Sequence, residues 1–226
     1  LREQGARHDL VDAVFALEPA VRDFPGEVLV RVGLEMLEAE VFQLPADLRH
    51  AEAVRITFDP ARIDKELGWA AAIGMNTMRV FLHDLIWQKD PAGYRKRIDT
   101  FLTIAAKHGI RPMLVLFDSC WDPFPQLGKQ REPKPGVHNS GWVQGPGAKA
   151  LQDPSQHGRL ERYVKEVVAA FAGDRRVLAW DIWNEPDNPN RSSYGKLEPS
   201  NKEDLVRELL PKAFAWARAS KPSQPL

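Results

Sequence analysis

A single cysteine, Cys120, stands in the 226-residue sequence, so no internal disulfide can form and thiol chemistry does not reveal the compartment. Surplus charge is also missing. The 31 basic and 31 acidic residues cancel, which argues against partnership with nucleic acid or a membrane surface. No apolar run approaches the roughly 20 residues needed to cross a bilayer. The amino end, Leu1-Arg2-Glu3-Gln4-Gly5, has neither an initiating Met nor the apolar core of a secretion signal, and the chain reads as soluble. A glycine-rich phosphate loop is absent too, since Gly141 to Gly147 is interrupted by Pro146 and does not link a strand to a helix. No His is accompanied by a second His, Cys or carboxylate at a metal-binding spacing. Neither a metal nor a cofactor is expected.

What is present is a regular alternation from residue 58 onward. Asp59-Pro60 signals a helix start, with Ile63, Leu67, Trp69, Ala70 and Ile73 inward and a stop at Gly74. Asn76 to Leu82 reads as a buried strand. Asp90-Pro91 opens a helix through Ile98, Phe101, Leu102 and Ala105, closed by Lys107-His108-Gly109. Pro112 to Phe117 is apolar throughout, as befits a parallel strand covered on both faces. A long proline-bearing loop follows, then a helix over Leu160 to Phe171, a strand over Val177 to Trp183 and a helix over Lys202 to Ser220. The order α-β-α-β-α-β-α predicts parallel βα units, from an open doubly wound sheet or from an eight-stranded barrel. Trp69, Trp180 and Trp216 are expected in the core.

Residues 1–57 form a separate, mainly helical segment in this reading. Asp9 to Leu17 and Leu34 to Phe42 have amphipathic helical patterns, and Glu27 to Val32 reads as a short strand. Residues 6–17 resemble a short stretch of the glycyl-tRNA synthetase β subunit, too short to carry that function.

Active sites of βα folds lie beyond the carboxyl ends of the strands. Those positions hold Arg79, His83 and Asp84, then Asp118 to Asp122, then Asp181, Asn184, Glu185 and Asp187. Trp87, Trp121, Trp142 and Trp183 stand among or near them. Aromatic platforms mixed with carboxylates and amides suit a sugar ring, which offers an apolar face and a polar edge.

Three stretches carry a more specific signal: Gly74 to Leu82, Val115 to Asp122, and Trp180-Asp181-Ile182-Trp183-Asn184-Glu185-Pro186. Together they resemble clan A glycoside hydrolases, and among these the cellulase-like family 5, in a β-1,4-xylanase or cellulase-like group. The resemblance covers residues 58–226 and implies a partial (β/α)8 TIM barrel of about four βα units, acting on a β-linked oligo- or polysaccharide such as xylan or cellulose. Glu185 would be the general acid/base of a retaining reaction, with a pKa raised by burial or a neighbouring negative charge. Asn184 would bond the sugar 2-hydroxyl, and Arg79 would orient the nucleophilic carboxylate. Trp121, His138, Trp142, Asp118 and His83 are substrate-cleft candidates. The family is often secreted or held at the cell envelope.

The match has three departures. Cys120 stands where the family often has a histidine, the first barrel strand has no counterpart in residues 43–57, and the nucleophile belongs to a seventh strand. A complete barrel takes about 250 residues, and the 41 residues after Glu185 cannot hold three more βα units. The expectation is therefore half a catalytic barrel, carrying the acid/base half of the site and weakly active or inactive alone. The alternative is a non-catalytic carbohydrate-binding or self-assembling module, in which a homo-oligomer closes the open sheet. Individual residues have plainer readings as well: Arg79 pairing with Asp118 or Asp181, Trp121 and Trp142 packing within loops, and His83 and His138 as hydrogen-bonded loop residues. Cys120 reads as a buried thiol.

Overall fold

The computed structural model of the protein describes residues 58–128, 141–191 and 194–226. The expected helices and strand of residues 1–57, the domain boundary at residue 57 and His138 lie outside the described residues.

Helix α1 (Pro60–Ala72) begins as its sequence predicts. The Asp59 carboxylate accepts from the amides of Ala61 and Arg62 at 3.0 and 3.1 Å, and Pro60 occupies a first turn that needs no N–H. Ile63, Leu67 and Ala70 are buried at helical spacing. Trp69, one step off that stripe, is only half-buried, with the Lys65 ammonium 4.9 Å from its ring centre. Gly74, at φ 87°, turns the chain toward β1 (Arg79–Phe81). That strand is shorter than expected. Its hydrogen bonding nevertheless spans the anticipated length, from Arg111 N–H to Asn76 C=O at 2.9 Å through to Leu82 N–H on Val115 C=O at 2.8 Å.

Helix α2 (Asp84–Lys89) is not announced by the sequence, because six residues cannot display a period. Helix α3 (Pro91–Lys107) is capped by Asp90 on the Gly93 amide and buries Tyr94, Ile98, Phe101, Leu102 and Ala105. After β2 (Met113–Asp118) come a long loop, the short α4 (Ala148–Gln152) and a 3-10 turn (Pro154–Gln156). Helix α5 (His157–Phe171) starts one turn before the expected Leu160. Strand β3 (Ala179–Asn184) and helix α6 (Lys202–Ala219) complete the described elements.

The three strands form one parallel sheet in the order β1-β2-β3. Val80, Leu114 and Trp180 are aligned across it, as are Asp118 and Asn184 at the other end of β2 and β3. Val80, Leu114, Leu116, Trp180 and Ile182 join the core with Leu67, Ile98, Leu102, Val164, Val167 and Leu209 from the helices. The alternate positions Arg79, Phe81 and Asp181 project from the other face. Residues near the carboxyl end reach back to β3, where Trp180 N–H donates to Pro225 C=O at 2.9 Å and the Trp180 indole donates to Gln224 at 3.2 Å. This mixed α/β arrangement of parallel strands and covering helices is that of part of a TIM-barrel-like fold. Among the described residues, no helix is long and apolar enough to cross a membrane.

Leu116 is fully enclosed between the sheet and its helices. Leu116→Ala should cost about 2–5 kcal/mol. By contrast, Glu203→Ala, on the exposed start of α6, should change stability by about 0.5 kcal/mol or less. Urea unfolding midpoints of the two variants check this contrast.

Candidate functional site

Parallel register brings the carboxyl ends of β2 and β3 to one rim, where Asp118 and Asn184 are direct neighbours. Asp118 is 5% exposed, and three separate segments donate to it. Asn184 Nδ2 lies 2.8 Å from Oδ1, the Cys120 amide lies 3.1 Å from the same oxygen, and the Trp142 indole N–H donates to Oδ2. Burial raises this carboxyl to about 6, against hydrogen bonds from Asn184, Trp142 and Cys120 that favour the ionised form. The backbone reinforces the junction, because Asp118 and Gly145 exchange amide-to-carbonyl bonds at 2.5 and 3.0 Å.

One residue beyond Asn184 the chain leaves the strand with Glu185 at φ 44°, in the left-handed region that side chains other than glycine rarely occupy. Such a backbone costs roughly 1–3 kcal/mol and persists only where its surroundings impose it. Here the surroundings are specific. Ser119 Oγ donates to Pro186 C=O at 3.1 Å and accepts from the Trp183 indole at 3.0 Å. Asn188 Nδ2 donates to Glu185 Oε2 at 2.8 Å and lies 3.3 Å from Cys120 Sγ. Glu185 itself is exposed, so the enclosure expected of it is not provided by the described residues. Cys120 is enclosed instead. Burial pushes its thiol well above the ordinary range, and the nearby carboxylates of Asp118 and Glu185 add to the effect.

Beneath these loops lies a polar cluster that the sequence did not single out. Lys202 Nζ, from the first residue of α6, donates to Ser119 C=O at 3.1 Å, Asn188 C=O at 2.7 Å and Glu198 Oε1 at 2.8 Å. Gln144 Nε2 reaches the same Glu198 oxygen at 2.6 Å and the Trp121 carbonyl at 3.1 Å. Asn190 donates to Glu198 and to Ser119 C=O. Burial pushes the Lys202 ammonium down from its ordinary value, while Glu198 opposes the shift. A lysine at the amino end of a helix sits against the macrodipole. That mismatch was the one available hint that something other than solvent holds it.

The other anticipated residues fall into different places. Arg79 stands at the start of β1 and pairs with Asp181 on the sheet face opposite the helices, rather than with Asp118. His83 is buried as the cap of α2: its Nδ1 accepts from the Leu85 amide at 3.2 Å, and Nε2 lies 3.0 Å from Gln144 C=O. Both ring nitrogens are thus used by the protein. The Trp142 ring is buried edge-to-face against Phe81 at 4.8 Å, an arrangement of loop packing. Trp121 is partly exposed, and its peptide bond with Cys120 is cis. Among the described residues, no group of three or more His, Cys, Asp or Glu side chains is placed to hold a metal ion.

No protein-family model matches this chain, and no curated protein does. Solved structures do resemble it. The chain is similar to GH5_18, a glycoside hydrolase from Streptomyces cattleya crystallised with GlcNAc, at a TM-score of 0.53 and 16% identity, covering 75% of this chain and 39% of that one. A glutamate-to-alanine variant of GH5_18, in complex with Manβ1-4GlcNAc, gives a TM-score of 0.51 and 15% identity, with coverage of 75% and 39%. The likeness shows a fold like that of part of these family 5 structures, and the chain spans 39% of their length.

Asp118 makes the rim sensitive to pH. Because its folded pKa of about 6 exceeds its ordinary 3.8, the folded protein retains a proton that the unfolded chain releases. The associated stability is fully present below pH 3.8 and is lost as pH rises through about 6. Asp118→Asn should remove that slope. It should also cost about 1–3 kcal/mol, because its amide turns a donor toward the Trp142 N–H. Unfolding free energies of both proteins between pH 4 and 7 give the difference.

Proposed function

We propose that this chain carries the acid/base half of a retaining β-glycanase site, with Glu185 as the general acid/base and Asn184 as the ligand of the sugar 2-hydroxyl. The observation that carries the reading is the adjacent pair at the carboxyl end of β3, each member held by its own partner: Asn184 by Asp118, and Glu185 by Asn188. One N–H of Asn184 goes to Asp118, which leaves the other N–H and Oδ1 for a sugar hydroxyl. Glu185 is exposed beside it, where a glycosidic oxygen can arrive.

In the first step Glu185 gives its proton to the departing glycosidic oxygen while a carboxylate attacks the anomeric carbon. In the second, ionised Glu185 takes a proton from the water that breaks the glycosyl ester, and the nucleophile is released. Asp118 and Asp181 are committed to Asn184 and Trp142 and to Arg79, respectively. We assign the nucleophile to a segment outside the described residues, and turnover by this chain alone is expected to be weak or absent. Arg79 would exchange Asp181 for that nucleophile once it is in place. Asp118, Asn188 and Lys202 are positioning residues: they hold Asn184, Glu185 and the Asn188 loop. Trp121, partly exposed on the loop after β2, is the remaining candidate for stacking on the sugar. The substrate class is a β-1,4-linked glycan such as xylan or cellulose, and the β1-4 disaccharide held by the neighbouring GH5_18 variant supports that linkage.

The test is hydrolysis of xylan, cello-oligosaccharides and aryl β-glycosides by the chain and by Glu185→Gln. Whatever turnover the chain has should fall about 10²–10⁴-fold for leaving groups that need a proton. Dinitrophenyl glycosides, whose leaving group departs without one, should be spared in the glycosylation step. Measurable turnover that is equal in the two proteins on every substrate would overturn the assignment.

A further inference from the structure

A concave site lies apart from Glu185. A cleft of about 590 Å³ opens between α2, the Pro123–Gln126 stretch, α4 and the start of α5. Ligand pockets typically occupy roughly 300–1,000 Å³, so this one has room for a small oligosaccharide. Its wall includes a buried ion pair, in which Arg159 Nη1 donates to Asp84 Oδ2 at 2.5 Å with side chains 9% and 1% exposed. The guanidinium is fixed from a second side by Gln156, which accepts from Arg159 Nε at 3.1 Å.

The lining selects a chemical class. The positive charges of Arg159 and Lys149 are matched in number by Asp84 and Asp153, so the cleft has no surplus charge with which to hold a phosphate or an ammonium group. It offers the exposed amide of Gln88, both donor and acceptor, beside Phe124, a residue 39% exposed between two prolines. An amide that both donates and accepts, charge balance and an exposed aromatic residue together match a neutral polyhydroxylated ring. The Phe124 wall is also anchored. Asp122 Oδ1 accepts from the Phe124 amide at 3.0 Å, and Pro123 C=O accepts from the Ala148 amide at 2.8 Å. At Gly147 a Cβ would stand 2.3 Å from Pro125 Cδ, which shows how closely the loop lies on the start of α4. A wall set in advance spares a ligand the cost of ordering it.

We propose that this cleft is a second carbohydrate-binding site, for a neutral oligosaccharide of two or three units, with Phe124 as its stacking platform and Gln88 and Arg159 as its polar contacts. The proposal does not rest on the role of Glu185, since none of its residues belongs to the Asn184–Glu185 pair. It would give the chain a hold on a glycan in addition to that of the acid/base rim.

Calorimetric titration of the full chain with xylotriose and cellotriose tests it, in an Asn184→Ala background that weakens the rim. Binding should persist in that background and fall about tenfold in Phe124→Ala and again in Gln88→Ala. Both substitutions are at exposed or half-exposed positions, and urea midpoints matching the parent will show that the fold is kept. Three results would overturn the proposal: no trisaccharide binding in the Asn184→Ala background, affinity unchanged by both cleft substitutions, or inorganic phosphate binding that those substitutions abolish. None of these outcomes bears on hydrolysis by Glu185, which is read separately from turnover.

Discussion

Asp118 is the constraint from which the rest of the rim follows. A carboxylate almost out of contact with water must have its oxygens met by donors, and here they come from β3, from its own loop and from the far end of the long β2–α4 connection. None of those segments could move independently without stranding a buried polar group. The low-dielectric setting that makes Asp118 hard to ionise also makes each of its hydrogen bonds stronger than it would be in water. Parallel pairing supplies the geometry, because strands running the same way deliver their ends to the same side of the sheet. Asp118 and Asn184 meet because they are register partners, and the strained turn at Glu185 begins where that register ends.

Much of the scaffold was legible in the sequence because its signals are local. The Asp-Pro starts of α1 and α3 and the glycines after them specify their own backbone, and the apolar runs of β2 and β3 can be buried on both faces only in a covered sheet. The short helices α2 and α4 escaped notice because neither spans enough residues to show a period. The rim was legible as a location and less so as a set of roles. Trp142 reads from sequence as a sugar platform, but its indole N–H serves Asp118 from 24 residues away, a partnership no local pattern encodes. His83 is likewise a helix cap whose other nitrogen faces Gln144. Lys202, Glu198, Asn188 and Asn190 were invisible as a group, since their charges and amides look individually like those of a solvated helix start and loop.

The likeness to GH5_18 bears on architecture, and chemistry has to be argued from the residues themselves. Those residues divide into two kinds. Asn184 and Glu185 keep free polar atoms at the surface, whereas Asp118, Ser119, Asn188 and Lys202 spend theirs within the protein. A working surface over a saturated support is what a site needs if small displacements are to cost it activity. In the cleft, likewise, Phe124 stands exposed on an anchored loop, and Asp84 and Gln156 hold Arg159 in place.

Lys202 joins this support from a helix whose other buried residues belong to the hydrophobic core. Its ammonium ties two rim carbonyls to the first turn of α6, and Val206, Leu209, Ala213 and Ala217 tie α6 to the core. The loop that bears Glu185 therefore does not form a loosely attached lid with its own opening equilibrium. Thermodynamically it belongs to the helix's cooperative unit, so the rate at which that loop breathes is set by the docking of α6 rather than by the loop's own length or composition.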